Sequence, residues 1–255
     1  MTPRRLLVIN PNTNPAITAS LCAAVARHVL PGTRVVGRTG SFGAPVIATR
    51  ASFVVAAHAA LDAYAVHAAL DAAAILAAPR ADADDAEGGE AVDGIILGCF
   101  GDPGLAALRE VASAPVVGLA EGSFAMASGP FAVLTAGAPW RGMLLDQLAT
   151  LPQRDLCRGI WTLDATGADV AADPQGFVAA MDALAMQAVA AGAQQVILGG
   201  AVLAGYAPRL RPIAPFIDCV QAAIAHLATM TIPRRVRQPA PAIGLSPELT
   251  SLLAG

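Results

Sequence analysis

The sequence contains no lysine: all 16 of its basic residues are arginine. That absence removes Schiff-base catalysis and a lysine-anchored pyridoxal phosphate from the chemistry open to it. Charge is sparse as well, 14% of 255 residues with a formal net charge of -3, and the arginines are scattered. No basic face of the kind nucleic acid requires is present, so a small molecule is the expected partner. The four cysteines, at 22, 99, 157 and 219, make no CxxC pair and no metal-finger spacing. Free thiols and no metal site are therefore expected. Long uninterrupted apolar runs are also missing: VVAAHAALDAYAVHAALDAAAILAA carries His58, Asp62, His67 and Asp71, too many ionisable groups for hydrocarbon. It reads as soluble helix. The amino-terminal LLVI is too short for a secretory signal, so no membrane and a cytoplasmic location are expected. The acidic stretch within 80–90 reads as a solvated insert, since nothing fixes its carboxylates around an ion.

What is present is a hydrophobic content of 55% and an internal repeat. IILGCFGDPGL, from residue 95, aligns with VILGGAVLAGY, from residue 196, so that Gly200 falls where Cys99 stands. PVVGLAEGSF from Pro115 pairs with PFIDCVQAAI from Pro215, and LLVINPNTNPAIT pairs with FAVLTAGAPWRGM from Phe131. VVGRTG and IWTLDATG occupy matching places. Short apolar strands alternating with helical patterns are the signature of parallel sheets covered on both faces. An α/β fold follows, with two pseudo-symmetric lobes, each a parallel four-stranded sheet flanked by helices, and a site in the cleft between them. The expected division is 1–100 plus 205–255 for one lobe and 101–204 for the other, the proline-rich tail packing over the first.

Ligands of parallel α/β sheets bind at the carboxyl ends of strands. Asn10, Asn12 and Thr13 stand there after the first strand, Cys99, Phe100 and Gly101 after IILG, and Glu121 after VVGLA. The second copy contributes Thr135, then Gly200 and Ala201, then Asp218 and Cys219. A thiol in a glycine-rich turn gains acidity from nearby amide N–H groups, and the same N–H groups can hold an oxyanion. By position alone Cys99 is equally a small buried hydrophobe ending a core strand. Asn10, Asn12, Thr13 and Thr135 are equally turn formers and helix caps. Cys22 reads as core, Cys157 has no partner in view, and His28, His58, His67 and His226 fall in helical segments.

INPNTNPAIT, DGIILGCFGDPGL, PVVGLAEGSF, FAVLTAG, VILGGAVLAGY and PFID, in that order over nearly the whole chain, resemble the cofactor-independent aspartate/glutamate/hydantoin racemase superfamily, nearest its hydantoin and allantoin branch. The resemblance implies an isomerase that uses two cysteines, one per lobe, on opposite faces of a substrate Cα. Cys99 matches the first of these, and Gly200 stands in the place of the second. The implied activity is proton transfer at an activated Cα with Cys99 as acid and base, on a hydantoin, ureide, amino acid or dicarboxylate. Asn10, Asn12, Thr13, Phe100, Gly101, Thr135, Gly200 and Ala201 are the candidate substrate contacts, and Cys219 is a candidate displaced second acid. A single-thiol decarboxylase of a malonate-type acid and a non-catalytic binding relative are the alternatives. A homo-oligomer is compatible with the resemblance.

Overall fold

The computed structural model describes residues 5–77, 91–164, 172–231 and 242–254, so the acidic stretch lies outside the described residues. In the first half β1 (Arg5–Asn10), α1 (Pro15–Ala26), β2 (Arg34–Thr39), α2 (Arg50–Ala77), β3 (Gly94–Leu97), α3 (Leu105–Val111) and β4 (Val116–Gly118) alternate. The helix α4 (Leu119–Met126) then leads to β5 (Phe131–Ala136), α5 (Trp140–Leu148), β6 (Cys157–Leu163), α6 (Pro174–Ala190), β7 (Gln195–Gly199) and β8 (Phe216–Asp218). Two helices follow, α7 (Cys219–Leu227) and α8 (Pro247–Ala254).

The strands form two four-stranded sheets of the same order, β2-β1-β3-β4 and β6-β5-β7-β8, and every pairing is parallel. All six residues of β1 and all four of β3 are buried, as expected where helices cover both faces. Alternate residues take opposite faces. Leu7, Ile9, Ile95 and Leu97 pack under Ala60, Ala63 and Tyr64 of α2, with Leu252 and Leu253 of α8 beside them. The carboxyl-terminal helix thus lies on the first lobe. Leu6, Val8, Ile96 and Val117 face the other way, into a cluster that also contains Phe131, Val133 and Ile197 of the second sheet. α6 covers the second sheet's remaining face through Phe177, Met181, Ala185 and Ala188.

That shared cluster exists because two helices cross between the lobes. α4 leaves the first sheet, yet Phe124 packs on Phe131 of the second, with ring centroids 5.8 Å apart. α7 leaves the second sheet, yet Leu227 lies so close to Gly94 of β3 that a Cβ there would stand 2.7 Å from its Cδ2. The two helices meet at Gly122, where a Cβ would come within 2.7 Å of the Cα of Ala223. Strand pairing therefore places the exchange of chain after 118 and 218, later than the 100 and 204 expected. The reason is that each β-α-β crossover returns its strand to the sheet it left, which puts residues 116–118 in the first sheet and 216–218 in the second.

α2 is long and apolar enough by length and composition to cross a membrane, but its middle is spent on the first sheet. It also buries His67, 1% exposed, with Nε2 3.1 Å from Asp71 Oδ2, while Asp71 holds the guanidinium of Arg5 at 3.0 and 3.1 Å. Burial pushes His67 down from 6.5 to about 4, against the pull of Asp71 and with the help of Arg38 and Arg5.

Two expectations follow. Gly122→Leu forces a side chain into the backbone of α7 and should cost about 1–3 kcal/mol in urea denaturation; an unchanged midpoint would mean the helices do not meet this way. His67 is neutral when folded, whereas the unfolded chain protonates near 6.5, so its contribution is present at neutral pH and lost as pH falls from 6.5 to about 4. His67→Gln should flatten the stability curve across that window relative to the parent, measured by denaturation midpoints at each pH.

Candidate active site

The first half of the site is the turn after β3. Gly98 donates its N–H to Ile9 O at 2.7 Å, and a Cβ there would stand 2.6 Å from Leu21 Cδ1, so that leucine would have to move. Cys99 follows, half-buried. Its carbonyl accepts the N–H of Asp102 at 3.0 Å, and the carbonyl of Asp102 accepts Leu105 N–H at 3.2 Å. These two linked turns leave the N–H groups of Cys99, Phe100 and Gly101 without an acceptor among the described residues. Free backbone donors in a turn suit a carboxylate, imide oxygen or enolate.

The second half repeats this shape. Leu203 N–H donates to Gly200 O at 3.0 Å and Tyr206 N–H to Leu203 O at 3.2 Å, and Gly205 and Gly104 share a positive φ of 83° and 77°. The two turns differ where the chemistry would sit. Gly200 has φ 116°, which side-chain-bearing residues rarely adopt, and a Cβ built on it would meet only Thr135 Oγ1, at 3.8 Å. Thr135 itself is 4% exposed at the end of β5, and its hydroxyl has no partner among the described residues. The turns are brought together by Phe100, whose ring covers Gly199 so closely that a Cβ there would be 2.5 Å from it. The neighbour of Cys99 thus touches the neighbour of Gly200 across the lobes. Above them Trp140 of α5 lies against Gly101 and, edge-on at 6.2 Å, against Phe53 of α2.

The loop after β1 is stitched from within. Asn10, fully buried, donates from Nδ2 to Asn12 Oδ1 at 2.8 Å, Thr18 Oγ1 at 3.0 Å and Asn14 O at 3.1 Å. Asn12 Oδ1 also accepts Asn14 N–H at 2.9 Å, and Asn14 in turn caps α1 by accepting Ala16 N–H at 3.0 Å. Asn10 is therefore spent on the loop, while Nδ2 of Asn12 and the hydroxyl of Thr13 have no partner among the described residues. Thr13 is fixed by its N–H to Ala44 O at 3.2 Å.

Electrostatics correct one expectation. The thiol of Cys99 is pushed up, not down, first by burial and then by the carboxylate of Asp102. Asp102 is 7% exposed and accepts Ala120 N–H at 3.0 Å and Glu121 N–H at 2.7 Å, at the start of α4. Its own pKa is raised to about 7, chiefly by burial, those two bonds opposing. Burial and the neighbouring carboxylate both favour the neutral form, so the turn holds Cys99 as a thiol. Cys219 is also pushed up, to about 12, by burial and then by Asp218. It is 0% exposed within the shared core, its S–H directed at Gly200 O at 3.8 Å. It sits behind the Gly200 turn.

Other sequence candidates fall elsewhere. Phe100 is 4% exposed and belongs to the interlobe core, not to a cleft wall, because the turn directs its ring at Gly199. Ala201 packs partly against the same core. Glu121 is held by Arg109, which also bonds Val116 O at 2.9 and 2.7 Å. Cys22 lies against Gly37 of β2, and Cys157 Sγ faces Gly159 O at 3.6 Å. His28 lies just beyond α1 and is exposed. Asp102, Trp140 and Phe53 were not singled out from the sequence; the only local sign was an acidic residue between the glycines of GDPG.

Two parallel α/β sheets sharing one core, with a thiol-bearing turn facing its repeat, define a two-lobed α/β fold in which strand-end turns of the two lobes meet. Residues 6–227 match the family model described as Asp/Glu/Hydantoin racemase, and the chain belongs to that family. It is 28% identical to a hydantoin racemase of Paenarthrobacter aurescens over 228 residues, 86% of this chain and 87% of that protein. Likewise it is 28% identical to a hydantoin racemase of Pseudomonas sp. (strain NS671), over 89% of this chain and 85% of that one. An allantoin racemase structure from Klebsiella pneumoniae superposes with a TM-score of 0.69 at 27% identity, covering 89% and 86% of the two chains. An arylmalonate decarboxylase shares the fold, with a TM-score of 0.56 at 14% identity over 88% and 91%.

The left-handed backbone at 200 sets an expectation for introducing a thiol opposite Cys99. Space is available there, so Gly200→Cys and Gly200→Ala should each cost about 1–2 kcal/mol through φ alone, read by urea denaturation. A much larger loss for cysteine than for alanine would point instead to a steric obstacle.

Proposed function

We propose that the protein moves a proton at the activated Cα of a small hydantoin- or ureide-class substrate, without a cofactor, with Cys99 as the acid and base. The observation that supports this most directly is the turn itself: one thiol at a strand end beside three unsatisfied amide donors, in a chain of the Asp/Glu/hydantoin racemase family. Cys99 first gives its thiol proton to water. The thiolate then takes the Cα proton, and the electron pair of the broken Cα–H bond moves into the carbonyl, whose oxygen the donors hold as it becomes anionic. Cys99 returns a proton to the same face of Cα as the pair moves back. Asn12, Thr13 and Thr135 surround the substrate, which lies between the Cys99 and Gly200 turns. The site operates in the cytoplasm. Proton traffic runs on the Cys99 face, because the opposite turn carries glycine and Cys219 is buried behind it.

A second reading is favoured by the raised thiol of Cys99. A resting S–H is a proton donor, which suits decarboxylation of a malonate-type acid. There the C–CO2 bond breaks, its electron pair enters the enolate, Cys99 gives its proton to Cα, and water reprotonates the thiolate.

Deuterium uptake at Cα and optical rotation, followed together in deuterated water, test both readings with 5-substituted hydantoins, allantoin and arylmalonates. Exchange above the solvent rate without equal racemisation is expected. Cys99→Ala should abolish it by about a hundredfold or more, and Cys22→Ala and Cys219→Ala should leave it nearly intact. Racemisation as fast as exchange in Cys219→Ala would refute one-face transfer. Loss of activity with Cys219→Ala would move the second acid to that residue, and no exchange or decarboxylation of any of these substrates would refute the enzyme.

A further inference from the structure

The two turns are tied down by the same hydrogen bonds with the carboxylate supplied from opposite ends. In the second lobe the carboxylate belongs to the strand: Asp218 at the end of β8 accepts Val220 N–H at 2.9 Å and Gln221 N–H at 3.2 Å, and its other oxygen takes Gly205 N–H of the turn. In the first lobe the aligned strand-end residue is Gly118, and the carboxylate comes from the turn. Asp102 accepts the equivalent pair, Ala120 N–H and Glu121 N–H. Its counterpart in the second turn is Leu203, fully buried in that lobe's own core. Asp102 reaches the helix start from a left-handed conformation, φ 56°, the one non-glycine residue with positive φ among those described. The exchange is sterically enforced, since a Cβ on Gly118 would stand 2.1 Å from the carboxyl carbon of Asp102.

We propose that Asp102 is a positioning residue for Cys99, clamping the thiol-bearing turn to the start of α4, and that Gly118 is its required complement, so that the carboxylate can be moved from 102 to 118 without loss of the site. The clamp matters because the turn's backbone carries the chemistry. The Asp102 N–H closes onto Cys99 O while the Asp102 side chain holds α4, and the N–H groups of Cys99, Phe100 and Gly101 stay without an acceptor among the described residues. Without it the α4 donors are buried with no acceptor, and the turn loses its anchor. The functional part of the proposal rests on Cys99 being the acid and base. The structural part does not.

The test is a cycle of Asp102→Gly, Gly118→Asp and the double variant. Glycine at 102 keeps the left-handed backbone and vacates the space that an aspartate at 118 needs. Each single change should raise the unfolding constant at least about tenfold, one by stranding two donors and the other by forcing two carboxylates together. The double variant should return to within about threefold of the parent. Alkylation of Cys99 by iodoacetamide, followed by mass spectrometry against pH, reads the thiol without any substrate. Asp102→Gly should move that profile, and the double variant should bring it back towards the parent. With whichever substrate exchanges, Asp102→Gly should lower kcat about a hundredfold with less change in KM, and the double variant should recover most of it.

A double variant no more stable than its worse parent would overturn the exchange. A stable double variant that keeps the alkylation profile and low kcat of Asp102→Gly would overturn the positioning role. If no substrate is turned over, stability and alkylation still decide the clamp, and its failure stays separate from failure of the proposed reaction.

Discussion

Everything in the site depends on the closeness of two helix backbones at Gly122 and Ala223. Each helix grows from the last strand of one sheet and packs on the other, so the sheets cannot separate without stripping side chains from both cores. Phe124 and Leu227 are the pegs of this exchange, and Phe100 stands edge-on to Phe124 at 6.0 Å and covers Gly199 of the second sheet. Because the approach is backbone to backbone, the strand ends above it are held in register with little slack. The facing of the Cys99 and Gly200 turns is a geometric consequence of that contact.

Burial, more than dipole alignment, governs the charges. The carboxyl-end turns of parallel sheets are rich in free N–H groups, and these favour negative charge. Yet Asp102 stands beside the half-buried Cys99, and two anions there would oppose each other as well as lose hydration. Negative charge on one of the two therefore disfavours it on the other. The carboxylate of Asp102, whose oxygens accept the N–H groups of Ala120 and Glu121, is the better held of the pair.

Much of this was legible in the sequence, for identifiable reasons. Strands buried on both faces must be apolar at every position, so GIIL and VILG stand out, and their repetition predicts two lobes of matching sheet order. The turn candidates were legible because they follow those strands. The direction of Phe100 was not, since its ring meets Phe124 and Gly199, which are distant in the sequence. The role of Asp102 was hidden because its partners lie at 120 and 121 and its equivalent in the other lobe sits at a different aligned position. The sign of the shift at Cys99 was misjudged because the turn's donors can be read from local sequence, whereas desolvation is the work of distant residues. The crossing of α4 and α7 was invisible too: each reads as an ordinary helix following an ordinary strand.

The backbone at Gly200 bears on which residues that position admits. With φ at 116°, the second turn has a shape that glycine permits and that a residue with a side chain would resist. The space around it is another matter, since a Cβ there would meet only the Thr135 hydroxyl, at 3.8 Å. Variation at this position is therefore limited by conformation and not by volume, and any side chain that enters must bring the turn with it.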